Sequence, residues 1–392
     1  MSEQLGAESS ETERSIDAPA WLGVIGGGQL GRMFTDAAHA AGYRVAVYSD
    51  GGHSPAAQVA DRVTVGAYDD AERIAAFAAT VAAVTFEFEN ISAEAAFAAA
   101  EETIARPHPE LLAAAQQRYR EKETVRSHGA PTAPYRLVET REQLEQAVED
   151  LAPSPVFKTV VSGYDGHGQV RLRDAASLDE ATKLLERGAG VVEGWIDHDC
   201  EISVLVARSP RGEVATIGPM RNDHAEHILD VSTLPAELDT NVEQRALELA
   251  KNLAVALDLQ GLLCVEMFLT EEGELLVNEL APRPHNSGHL SIEAHAASQY
   301  DLQVRTLCNL PLGDVSMKVP AAAMVNLLGD LWIDGRADAE AAAGEGVSVH
   351  LYGKAEPRRR RKMGHITAVR PTIGEARERA LAARLRFANG SR

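Results

Sequence analysis

Hydrophobic residues along the chain change their period several times, and each change marks an element. LGVIG (22–26) is a continuous apolar run closed by glycine, the pattern of a short strand buried on both faces. QLGRMFTDAAHAAG (29–42) then spaces its apolar residues for a helix, with Gly42 as its stop. RVAVYS (44–49) and VAAVTFEF (81–88) repeat the strand pattern, and DAERIAAFAAT (70–80) is helical. This alternation predicts a parallel sheet with crossover helices over residues 20–117. Residues 1–19 have no period and no aromatics, so a disordered acidic tail is expected there.

The pattern then turns to α+β. YREKETVRSHG (119–129), REQLEQAVEDL (141–151) and VEQRALELAKNLAVALD (242–258) read as helices. PVFKTV (155–160), QVRLR (169–173), VVEGWI (191–196), EISVLVAR (201–208) and EVATIGPM (213–220) read as strands. LLCVEMFL and ELLVNEL, separated by the short polar TEEG, predict a hairpin. Beyond about residue 315 the chain is β-rich again and closes with the helix IGEARERALAARL (373–385). The expected divisions are 20–117, 118–312 and 313–392.

Charge narrows the functional classes. The chain has 392 residues, 38 of them Lys or Arg and 58 Asp or Glu, for a net charge of −20. That field disfavours nucleic acid and anionic membrane surfaces as partners. No run approaches the roughly 18 apolar residues of a membrane helix, and the acidic start is unlike a signal or transit peptide. Cys200, Cys264 and Cys308 share no metal or redox spacing, so reduced buried thiols and a cytoplasmic setting are expected.

Five segments carry candidate chemistry. Gly26-Gly27-Gly28-Gln29-Leu30-Gly31 fits G-x-G-x-x-G between a strand and a helix, with Asp50 about 20 residues on, a pattern suited to a phosphate or a dinucleotide. Ser162 to Gln169 is a glycine-rich loop just after Lys158, suited to covering a phosphate. If Glu272-Gly273 is the hairpin turn, Glu266 stands opposite Glu279, about 5 Å away, a pair that calls for a cation such as Mg²⁺. Val265, Met267, Leu269, Leu276 and Leu280 then form the opposite, core face. Ala281 to His289 (APRPHNSGH) concentrates Arg283, His285 and Asn286 on a proline-stiffened loop. Lys354 and Arg358 to Lys362 place six basic residues in nine positions, read either as a solvated face or, for Lys354 and Arg361, as a phosphate clamp.

GGGQLGRM (26–33), FEFEN (86–90), GYDGHGQ (163–169), EMF and NELAPRPHNSGH (266–289), and GKAEPRRRRKMGH (353–365) together resemble the N5-carboxyaminoimidazole ribonucleotide synthases, ATP-grasp enzymes of purine biosynthesis. The resemblance runs in order over nearly all the chain beyond residue 20. It implies an ATP-grasp fold, α/β and α+β, with a Rossmann-like pre-ATP-grasp domain and a β-rich, barrel-sandwich-like C-terminal domain. It further implies ATP-dependent carboxylation of 5-aminoimidazole ribonucleotide by bicarbonate, with Mg²⁺ and a homodimer. ATP would be held by Arg118, Lys158, Gly163, Tyr164, Asp165, Gly166, His167, Gly168, Gln169, Glu193, Gly194, Trp195, Ile196, Glu201, His224, Asn278 and Glu279. Glu201 would take the ribose hydroxyls, and Glu266 and Glu279 the metal. The ribonucleotide would meet Gln29, Leu30, Glu87, Tyr164, Asp165, Arg283, His285, Asn286, Lys354 and Arg361. Asp165 would orient or deprotonate the reacting amine with His285 as partner, and Arg283 and Lys158 complete the catalytic set. Ser162 stands where the family usually has glycine, and QQRYREK offers Arg120 as an alternative to Arg118.

Overall fold

The structure, a computed structural model, describes residues 14–160 and 168–390. Three sheets organise it. The first is parallel, with strands β1 (Trp21–Ile25), β2 (Arg44–Ser49), β3 (Arg62–Val65), β4 (Ala83–Phe86) and β5 (Ile104–Ala105) in the order β3-β2-β1-β4-β5. Strands β1, β2 and β4 are buried along nearly their whole length because helices cover both faces, as a parallel sheet requires. Helix Gln29–Ala40 follows β1 directly, and Asp70 and Ser92 cap the helices Ala71–Ala78 and Ala93–Glu102 with their side chains.

A four-stranded antiparallel sheet comes next, built from β6 (Tyr135–Val138), β7 (Val156–Thr159), β8 (Gln169–Arg171) and β9 (Gly190–Glu193) in the order β6-β9-β7-β8. Helices Arg141–Asp150 and Ala175–Leu185 cover one face around Phe157 and Val192. The other face looks into a cleft.

The third sheet has eight antiparallel strands: β10 (Cys200–Arg208), β11 (Val214–Ala225), β12 (Ile228–Leu234), β13 (Gly261–Leu269), β14 (Leu275–Ala281), β15 (Ala321–Leu328), β16 (Val347–Leu351) and β17 (Lys362–Arg370). Their order is β14-β13-β10-β11-β12-β15-β17-β16, so the C-terminal strands continue the sheet that carries the glutamate hairpin. Ile202, Val204 and Val206 of β10 face helix Thr240–Ala256 through Ala246, Ala250 and Leu253. On the reverse face Leu205 and Ala207 lie under helix Gln299–Leu307, whereas Glu201 and Ser203 sit beyond its cover. The polar end of that face is the floor of the cleft.

Helix Gln299–Leu307 also joins the first sheet to the third. Tyr300, Val304 and Leu307 pack against Leu30, Met33 and Phe34, and Gln303 Nε2 donates to Thr85 Oγ1 at 3.0 Å. Residues 14–19 of the expected tail are tied to the same region. Ile16 N–H donates to the Cys308 carbonyl at 2.9 Å, and Tyr43 O–H donates to the Ile16 carbonyl at 2.7 Å. All three cysteines are buried and free of disulfides. Among the described residues no helix is long and apolar enough to cross a membrane.

Candidate active site

The cleft between the second and third sheets encloses about 860 Å³. From the small sheet, Lys158 of β7 places its Nζ 3.0 Å from Glu193 Oε2, and Lys122 of helix Arg118–Ser127 approaches the same oxygen at 3.2 Å. A carboxylate this deeply buried needs cationic partners to remain charged. Burial alone would raise the Glu193 carboxyl, but the two ammonium groups hold it down to about 2. Burial in turn lowers Lys158 from its ordinary range, against the pull of Glu193.

The hairpin on the large sheet brings Glu266 directly opposite Glu279, as expected from the sequence, but by a different route. Leu269 pairs with Leu275, so the turn spans residues 270–274 rather than two residues. A one-residue bulge between Met267–Val277 and Glu266–Glu279 absorbs the difference. Because the bulge breaks alternation, Leu275 and Val277 enter the core, whereas Leu276, expected there, does not. The same bulge turns two consecutive side chains, Asn278 and Glu279, into the cleft. Glu279 lies 3.9 Å from Arg118, and burial raises its carboxyl despite that guanidinium.

Cross-strand pairing extends the polar row. Ser203 stands opposite Glu266, and Glu201 opposite Asn222. His224 Nδ1 lies 3.3 Å from Glu201 Oε2, and one ligand atom each from Glu201, His224 and Glu266 fall within 4.8 Å of one another. Burial and the neighbouring Glu266 raise Glu201 to about 7. Burial would raise Glu266 as well, yet the adjacent His285 ring, 3.0 Å away, brings it to about 2.

A second cavity of about 320 Å³ lies against the first sheet, lined by Gln29, Leu30, Glu87, Phe88, Arg283, His285, Asn286 and Lys362. Arg283, His285, Asn286 and Lys362 line the larger cavity too, so the loop after β14 is the wall the two share. Glu87 explains the first glycine motif. Its carboxylate accepts from Gly28 N–H and, at 2.6 Å, from Gly31 N–H at the start of helix Gln29–Ala40. A Cβ on Gly26 or Gly28 would come within 2.0 or 2.4 Å of Glu87, and Gly26 has φ +128°. The acid therefore fills the place where a dinucleotide pyrophosphate would need those amides. Burial raises the Glu87 carboxyl, and the two backbone donors oppose that rise. Arg283 Nε reaches Glu89 at 2.6 Å, which fixes the shared wall to the FEFEN segment.

Most residues expected at the nucleotide come together. Arg118, Lys158, Gln169, Glu193, Gly194, Trp195, Ile196, Glu201, His224, Glu266, Asn278 and Glu279 all line the larger cavity. Arg118 is the arginine of QQRYREK that faces the cleft, and Arg120 pairs with Glu110 at the surface instead. Gly163, Tyr164, Asp165, Gly166 and His167 lie outside the described residues, as does Ser162. Gly168 is described, with its carbonyl accepting from Thr159 N–H at 2.9 Å. Lys354 and Arg361 are not among the side chains lining either cavity. Lys354 Nζ donates to the Lys362 carbonyl at 2.7 Å, and Arg361 to the Glu356 carbonyl at 2.8 Å. The arginine run serves the surface: Arg358 pairs with Glu356, Arg359 with Asp330 and Asp334, and Arg360 with Glu226.

Lys122, Glu121 and Lys362 escaped the sequence reading. Lys122 stands one helical turn after Arg118, so their shared face was a usable signal. Glu121 accepts from Leu280 N–H at 2.6 Å and braces the outer edge of β14, and burial beside Glu279 lifts it to about 8. Lys362 was hidden within a charge run whose other members face solvent.

Three family models match the chain in turn. Residues 20–116 match the ribonucleotide synthetase preATP-grasp domain, 123–300 the ATP-grasp domain, and 322–379 the phosphoribosylaminoimidazole carboxylase C-terminal domain. The chain is 43% identical over 348 residues to an N5-carboxyaminoimidazole ribonucleotide synthase of Bacillus subtilis, covering 89% of this chain and 91% of that protein. A crystal structure of the ADP complex of an N5-carboxyaminoimidazole ribonucleotide synthetase superposes with a TM-score of 0.90 at 41% identity, covering 94% and 97% of the two chains. A synthase from Aspergillus clavatus, solved with ADP and 5-aminoimidazole ribonucleotide, gives a TM-score of 0.84 at 29% identity over 94% and 99%.

Proposed function

The chain belongs to the N5-carboxyaminoimidazole ribonucleotide synthases, ATP-grasp ligases of purine biosynthesis, and we propose that its two cavities divide that reaction between them. The larger takes ATP and the smaller takes 5-aminoimidazole ribonucleotide, with bicarbonate entering where they meet. The observation that carries this reading is the shared wall: Arg283, His285, Asn286 and Lys362 line both cavities.

Bicarbonate is a weak electrophile, so it must be activated before an amine can attack it. One of its oxygens attacks the γ-phosphorus and the bond to the β-phosphate oxygen breaks, giving carboxyphosphate and ADP. The exocyclic amine then attacks the carboxyl carbon, phosphate leaves, and the amine proton passes to a nearby base. Lys158 and Arg118 supply positive charge on the nucleotide side, so catalysis there is positioning and electrostatic stabilisation. Glu193 keeps Lys158 charged and aimed. Arg283 holds anionic groups at the junction, and Asp165 orients or deprotonates the amine, with His285 as the partner that positions it.

Directly opposed carboxylates facing one cleft fit a hard divalent cation, and Glu266 with Glu279 would hold Mg²⁺, Glu201 and His224 standing close by. When bound, the ion neutralises phosphate charge. Lys354, whose charge acts on Glu87 from outside the smaller cavity, and Arg361 are proposed to turn from their present carbonyl partners to the ribonucleotide phosphate when it binds at Gln29 and Leu30. Three buried thiols suit a cytoplasmic protein, and a homodimer is expected, checked by sedimentation equilibrium. Phosphate release with ATP, bicarbonate and 5-aminoimidazole ribonucleotide, each omitted in turn, tests the activity. Release independent of the ribonucleotide would refute it.

A further inference from the structure

His285 is held from two sides by buried polar groups that touch neither cavity. On the ring side, His285 Nδ1 lies 2.8 Å from Ser287 Oγ, and Ser287 Oγ lies 2.8 Å from Ser203 Oγ. Asn222 Nδ2 donates to Ser203 Oγ at 2.8 Å, and Ser232 Oγ donates to Asn222 Oδ1 at 2.8 Å. The chain thus crosses β10, β11 and β12 beneath the cleft floor, and none of its four members is more than 4% exposed. On the backbone side, the fully buried Gln299 brackets His285 with one amide. Gln299 Oε1 accepts from His285 N–H at 2.8 Å, and Gln299 Nε2 donates to the His285 carbonyl at 2.9 Å.

Such a chain is costly to bury unless every member finds partners, and each of these does. A core that needed only stability could place apolar residues there at no loss. Ser203 also stands directly opposite Glu266 on the neighbouring strand, so the chain passes beside the proposed metal ligand and ends on a residue that faces both cavities.

We infer that Ser203, with Asn222 and Ser287, and Gln299 are positioning residues that fix the His285 ring at the junction, so that phosphoryl transfer and amine carboxylation stay coupled. None of them reaches a substrate cavity, and each acts through His285. The inference rests on the assignment of the reaction above.

The test compares Ser203→Ala, Ser287→Ala, Gln299→Met and the hydroxyl-retaining Ser203→Thr with the parent protein. ADP and carboxylated product are measured in the same samples, with KM for ATP and the melting temperature alongside. The three deletions should cut product turnover about tenfold, leave KM for ATP within about twofold, and raise the ADP formed per product above one. Ser203→Thr should restore a ratio near one. Equal loss of ADP and product, with the ratio unchanged, marks a merely structural role and overturns the inference. Normal turnover in folded Ser203→Ala and Ser287→Ala does the same. Those alanine variants remove one oxygen each, so they remain informative if Gln299→Met fails to fold. If the parent protein shows no ribonucleotide-dependent ADP release, the assignment of the reaction fails instead.

Discussion

Lowering the pH should weaken the protein through a buried stack of histidines. His350 and His365 stack with ring centroids 4.4 Å apart, and His365 and His289 at 4.7 Å. His289 and His365 are fully buried, whereas His350 keeps 29% of its side chain exposed and pairs with Glu293 at 2.7 Å. Tyr300 and Tyr352 meet Nδ1 of His289 and of His365, each at 2.9 Å. Burial, with the neighbouring rings and, around His289, Lys362 and Arg283, pushes both imidazoles well below their ordinary 6.5. The unfolded chain takes up protons on these rings as the pH falls past 6.5 while the folded chain does not, so stability present at neutral pH is lost. Between about pH 7.5 and about pH 5.5 the loss is about 1.4 kcal/mol per histidine, and about 2.7 for the pair. Glu121 and Glu201, raised to about 8 and about 7, act in the opposite sense, so the total profile mixes signs. The difference between parent and His365→Gln isolates one ring. Urea denaturation at both pH values should show the parent's advantage shrinking by about 1.4 kcal/mol on acidification. Parallel pH profiles for parent and variant would refute the reasoning.

Deleting Asn278 should leave a folded protein, because the hairpin then alternates regularly and Glu266 still faces Glu279; KM for ATP should rise several-fold through loss of the Asn278 side chain, checked by initial-rate kinetics. Glu87→Gln cannot accept from both Gly28 and Gly31, since one amide end is a donor, so the variant should lose about 1–3 kcal/mol in chemical denaturation and bind the ribonucleotide more weakly by calorimetry. Glu266→Gln or Glu279→Gln should raise the Mg²⁺ concentration for half-maximal phosphate release by about tenfold or more, and chelation by EDTA should abolish release in the parent. Lys122→Met leaves Glu193 with one ammonium group and should destabilise by up to about 3 kcal/mol, read by denaturation, while raising KM for ATP.

The elements were legible wherever period and composition agreed, as in the parallel strands whose continuous apolar runs are buried on both faces. Glu266 and Glu279 were placed opposite each other from a two-residue turn, and the structure reaches the same pair with a longer turn and a bulge. Two offsets cancelled there, and Leu276 exposes the cancellation, because only the bulge decides which face it takes. The glycine motif invited a phosphate on local geometry, but Glu87, just past the end of β4 and far along the chain, occupies the Gly28 and Gly31 amides. No local pattern encodes that contact. Lys362 was illegible for a simpler reason: six basic residues look alike in sequence, and only the strand that begins at Lys362 turns one toward the cavities.

The unbroken eight-stranded ladder also decides which parts can move. Glu266 on β13 and Lys362 on β17 belong to one hydrogen-bonded array, so floor and junction travel as a unit. Among the described residues the small sheet has no ladder to it. It is joined through helix Arg118–Ser127, by Lys122 to Glu193, Tyr135 to Glu123 and Arg118 N–H to the Val160 carbonyl, through residues 131–132 lying along Val277, and through residues 194–199, which run straight into β10. Any closing over a nucleotide would therefore carry Lys158 and Glu193 on those few connections, with the acidic floor as the fixed jaw.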